Sequence, residues 1–85
     1  MMEVKVLKKD LNRMMKEQTE ESYCIMQFPD TDEWADTLEP YLRASEKGRE
    51  LGFVSLYTTK EKIKVRVLKV WKTGTVFKMK VRFLY

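Results

Sequence analysis

The sequence predicts a small single α+β domain, with two helical segments packed on an antiparallel sheet that ends in a three-stranded meander. Three observations predict it. The 85 residues suffice for one domain, and 44% of them are apolar, so a core can form. Apolar residues in the first half recur at spacings of three and four. Near Leu51 the apolar period switches to two.

Each element has its own signal. Val4 and Val6 alternate with Lys5, so residues 2–8 read as a short strand. Asp10 is placed to cap a helix near 11–21. Leu11, Met14, Met15 and Gln18 form its stripe, with Lys16, Glu17 and Glu20 outside. The run Ser22 to Phe28 is short and apolar on both faces, which predicts a central, buried strand stopped by Pro29. Asp30 followed by Glu33 resembles a capping box. Trp34, Leu38, Tyr41, Leu42 and Ser45 then mark one helical face, and Pro40 predicts either a kink or the start of a second helix. Gly48 suits the left-handed position after a helix end.

The last third reads as three strands, Leu51–Thr59, Lys62–Lys72 and Thr75–Leu84, joined at Thr59-Lys60-Glu61 and Thr73-Gly74. Alternation assigns their faces. In the last strand Phe77, Met79, Val81, Phe83 and Tyr85 oppose Val76, Lys78, Lys80, Arg82 and Leu84. In the one before it, Ile63, Val65 and Val67 oppose Lys62, Lys64 and Arg66. The pattern then slips, because Lys69 and Trp71 fall in phase with the valines; a bulge near Leu68 would restore it. If Val54 and Leu56 face the core, Phe53 and Tyr57 stand beside the cations.

Charge is strongly segregated. Eight acidic residues and no Lys or Arg lie between Glu17 and Glu39, a balance of −8. Nine basic residues and one acid lie between Lys60 and Tyr85, a balance of +8. Such asymmetry points to a polyanion, or to complementary surfaces between chains. A basic, aromatic sheet face is what single-stranded nucleic acid uses, its bases stacking on rings and its phosphates meeting cations. The candidate binding residues are Phe53, Tyr57, Lys62, Lys64, Arg66, Lys69, Trp71, Lys72, Lys78, Lys80 and Arg82.

Two short segments carry a resemblance. Arg49 to Leu56 resembles the aromatic sheet motif of RNA-recognition domains, although Glu50 replaces a glycine, Leu51 and Leu56 replace ring residues, and strands rather than a helix follow. Lys69 to Gly74 is similar to the Trp-bearing hairpin of small archaeal chromatin proteins, which implies a DNA partner and a sheet on the minor groove. Trp71 is the wedge that resemblance supplies.

Several classes are excluded or set aside. With no histidine, Ser-His-Asp chemistry, Cys-His chemistry and histidine metal sites are absent. The three glycines lack phosphate-loop spacing. Asp30, Asp32 and Asp36 leave a metal-dependent nuclease as a third reading, but acids in a first helical turn ordinarily oppose the dipole. Cys24 lies in the most apolar segment and reads as an inert thiol. No apolar run approaches the roughly 18 residues of a membrane span, and Met1 to Lys5 lacks the apolar stretch of a signal peptide.

The expectation is a non-enzymatic nucleic-acid-binding protein, DNA or RNA undetermined, with no cofactor, no metal and no membrane. A cytoplasmic location fits the lone cysteine. A homodimer or assembly subunit is the alternative, and the charge-rich composition with only three Asn and Gln residues resembles a thermophile's, with six methionines and a cysteine weighing against it.

Overall fold

The computed structural model describes residues 2–17 and 23–84. Its elements are β1 (Met2–Lys5), α1 (Lys8–Lys16), β2 (Tyr23–Pro29), α2 (Asp32–Glu46), β3 (Phe53–Tyr57), β4 (Lys62–Thr73) and β5 (Val76–Phe83). The five strands form one sheet in the order β1-β3-β4-β5-β2. The sheet is mixed, which corrects the antiparallel expectation. β1 runs parallel to β3, while β3–β4, β4–β5 and β5–β2 are antiparallel. The segment between β1 and β3 holds α1, β2 and α2, long enough for the chain to return in the same direction.

Alternate residues of every strand join apolar residues of both helices in a single core. Val4, Met26, Leu56, Val65, Phe77 and Val81 are among its buried members, with Leu11 and Met14 from α1 and Leu38 from α2. One face of the sheet is therefore covered by both helices, and the other is open. Placing β2 in the middle was wrong: it is an edge strand, paired only with β5. Cys24, Met26 and Phe28 are buried, whereas Tyr23, Ile25 and Gln27 face the open side. Apolar residues on both faces made it look buried twice, but Ile25 is 48% exposed.

The helix ends also differ from expectation. The first strand stops at Lys5 and α1 begins at Lys8 rather than 11. Leu7 holds the N-cap position without a side-chain bond, and Asp10 sits inside the first turn, where a carboxylate opposes the dipole. Nine residues cannot hold a helix alone in water, so the burial of Leu11 and Met14 keeps α1 in place. The expected end of that helix, 18–21, the expected strand start at Ser22, and Tyr85 lie outside the described residues.

At α2 the cap is Thr31, whose Oγ1 accepts from the Trp34 N–H at 3.4 Å, instead of Asp30. The helix then runs through Pro40 without a second start. Proline lacks an N–H and crowds the preceding turn, but the exposed side of the helix tolerates the ring there. Beyond it, Gly48 adopts φ +69°, its N–H donates to Ser45 O at 3.1 Å, and the Arg49 N–H donates to Ala44 O at 2.9 Å. This pair of bonds satisfies the last carbonyls and needs a left-handed residue, as the glycine predicted.

The β4–β5 ladder shifts register between Val67 and Lys69, where the sequence asked for a bulge. Its effect is to keep Val67 and Val70 both on the helix side, with Lys69 and Trp71 on the open side. β3 ends opposite Arg66, so β4 runs on past its neighbour. The Val67 N–H donates to Gly52 O at 2.9 Å, and the Val70 N–H donates to Ser45 Oγ on α2 at 3.1 Å. The end of α2 thus satisfies a strand edge that β3 is too short to cover. The two-residue link Gly74-Thr75, with Gly74 at φ +59°, closes the hairpin.

Candidate nucleic-acid interface

The strand registers place the open-face side chains in rows across the sheet. One row reads Lys5, Tyr57, Lys62, and the next Glu3, Ser55, Lys64. The third runs across four strands as Phe53, Arg66, Arg82, Tyr23. After the bulge come Lys69, Lys80, Ile25, then Trp71, Lys78, Gln27. On these strands the open face carries eight cations against one carboxylate, Glu3.

Ten of the eleven candidate binding residues lie on this face. Lys72 does not. It is paired in register with Phe77 on the helix side, and its Nζ lies 2.8 Å from Asp30 Oδ2. Counting Lys72 with Lys69 and Trp71 ignored the alternation at the strand's end. Two further cations already have partners. Lys62 donates to Glu3, which holds that carboxyl below its ordinary range, and Arg66 Nη2 lies 3.3 Å from Glu50 Oε1. Lys64, Lys69, Lys78, Lys80 and Arg82 have no acidic ion-pair partner among the described residues.

Three of them stand over rings. Lys64 Nζ stands 5.2 Å from the Phe53 centroid, Lys69 Nζ 5.4 Å from that of Trp71, and Lys80 Nζ 4.0 Å from that of Tyr23. Such contacts add about 0.5–1 kcal/mol at exposed sites. Tyr23 is the residue that sequence reasoning missed. The alternation of Tyr23, Ile25 and Gln27 with Cys24, Met26 and Phe28 was the signal for it. Tyr57 lies at the far side of the face, beside Lys5 and Lys62.

Other chemistry finds little support in the placement of groups. Asp30 is engaged with Lys72, Asp32 sits in the first turn of α2, and Asp36 lies further along it. Among the described residues no three His, Cys, Asp or Glu side chains are gathered to hold a metal ion. Burial pushes the Cys24 thiol up to about 11, helped by the charge of Glu17, so it is protonated at neutral pH. A cavity of about 680 Å³ opens between α1 and the two edge strands, near the Phe28–Trp34 ring contact. No described helix is long and apolar enough to cross a membrane.

Comparison with protein-family models, with curated proteins and with solved structures finds no match. Fold and surface define a small α+β domain with a helix-covered sheet whose second face is open, basic and studded with rings.

Proposed function

We propose that this chain is a small, non-enzymatic nucleic-acid-binding protein that works through the open sheet face. The observation that carries the reading is two like-charge pairs in register across β4 and β5. Arg66 stands directly opposite Arg82, and one row on Lys69 stands directly opposite Lys80. Like charges directly opposite in a sheet are destabilising, where opposite charges or β-branched pairs would contribute about 0.2–1 kcal/mol. A polyanion laid across these rows relieves the repulsion and releases counterions. A single, free cysteine suits a reducing, cytoplasmic setting.

The test is oligonucleotide binding by fluorescence anisotropy across a salt series. Log affinity should fall linearly with log salt, each neutralised phosphate adding roughly 0.7–0.9 to the slope. Lys78→Ala with Lys80→Ala should lower that slope by about one to two units. Unchanged binding at every salt concentration would remove this face from the reading.

A second reading has its own support. The exposed acids Asp32, Glu33 and Asp36 lie on α2, in the layer opposite the basic face. Two copies stacked helix layer to open face would be charge-complementary and head-to-tail. Sedimentation at low and high salt separates the two readings: self-association lost at high salt, with no oligonucleotide binding, favours assembly.

A further inference from the structure

We propose that the open face takes a single strand in preference to a duplex, and holds it through paired ring-and-lysine units; this rests on the nucleic-acid reading above. A nucleotide offers one flat base and one phosphate. Phe53 with Lys64, Trp71 with Lys69, and Tyr23 with Lys80 each offer one flat ring and one ammonium over it. All three rings are half-buried, so each is anchored in the sheet yet retains a reachable surface.

The units are spread over the face. Phe53 and Tyr23 end the same row, three strands apart, which is about 14 Å at a strand spacing of about 4.8 Å. Trp71 lies two rows along from Arg66, about 13 Å when measured over the partner residues Arg82 to Lys78 on β5 at about 3.3 Å per residue. Arg82 and Lys78, which have no ring, lie between the units and can follow the intervening phosphates. A base stacked on a ring is worth about a 5- to 150-fold gain in affinity, and every base has a face to offer, so the site needs no particular sequence.

An intact duplex uses this arrangement less fully, since a ring such as Trp71 reaches a base there only by unstacking the helix. Five strands span about 19 Å, wider than the roughly 12 Å major groove. Inside a duplex the bases stack on one another, leaving the three rings against sugar and phosphate. Only the cations would then contribute, and phosphate contacts carry no base information.

The experiment uses the full chain and three labelled oligonucleotides of equal length: a mixed-sequence single strand, the same strand with abasic sugars, and its duplex. The base-bearing strand should bind at least fivefold more tightly than the abasic one at the same salt concentration. Trp71→Ala should lose about 5- to 150-fold on the base-bearing strand, keep its salt slope, and leave abasic binding unchanged. Trp34→Phe leaves Trp71 as the remaining tryptophan, and its emission should be quenched by the base-bearing strand alone. Circular dichroism confirms that each variant is folded, and the quenching readout stands if Trp71→Ala is not. Equal affinity for all three oligonucleotides, or tighter duplex binding, overturns the single-strand inference while leaving the nucleic-acid reading in place. Failure to bind any of them overturns both.

Discussion

The two faces of the β4–β5 hairpin share one backbone and one register, yet follow opposite rules. On the helix side Val65 meets Phe83, Val67 meets Val81 and Val70 meets Met79, all buried. On the open side Arg66 meets Arg82 and Lys69 meets Lys80. The apolar ladder satisfies local preference and packing together, while the charged ladder violates the pairing rule and is offset only by exposed contacts, Arg66 with Glu50 and the two lysines with rings. The contrast teaches that the buried face sets the register, because a one-residue slip would carry every apolar side chain into water. Once register is set, the open face carries side chains that stability did not choose.

The most severe break is on the buried face. Phe77→Ala should destabilise the chain by about 3–5 kcal/mol, since Phe77 is fully buried and the cavity would be walled by strands and helices. Chemical denaturation measures it, and a cost below about 1 kcal/mol would mean the core lies elsewhere. Next is the contact joining helix to strand edge. Ser45→Ala leaves the Val70 N–H without its partner and should cost about 1–3 kcal/mol, read as a lower midpoint with binding intact.

The open face should respond with the opposite sign. Arg82→Gln removes one like-charge pair while keeping a polar stem, and should raise stability by about 0.2–1 kcal/mol at low salt. The gain should vanish at high salt, and oligonucleotide affinity should fall; a destabilised variant would show that Arg82 supports the fold. The smallest effect belongs to Glu3. Lys62 lowers its folded pKa, so its contribution is present above the unfolded value near 4.5 and is lost as pH falls through the folded one. Acid titration of Glu3→Gln against the parent should therefore converge at low pH and differ slightly above it. Because Glu3 is exposed, the difference should shrink with added salt.

Much of the fold was legible along the chain. The stripe Trp34, Leu38, Tyr41, Leu42, Ser45 marked α2, Gly48 marked its end, and the phase slip after Val67 marked the bulge. Each is a local signal, in which periodicity or backbone conformation restricts the residue type. The open-face residues of β5 and of β4 as far as Trp71 were legible for the same reason, whereas β3 is apolar on both sides and its orientation stayed open.

What the sequence alone determined is the chemistry of each strand face and the separation of acidic from basic halves. Only the tertiary structure decided which strands are neighbours. β2 looked central because both its faces are apolar, and nothing in seven residues says which partner it lacks. Its place at the edge beside β5 brought Tyr23 next to Lys80, and the short reach of β3 left Val70 to Ser45. The parallel pairing of β1 with β3 put Glu3 within reach of Lys62, 59 residues away. Strand order joins residues far apart in the chain, and it is set by how two helices and five strands bury one core, a constraint no local pattern records.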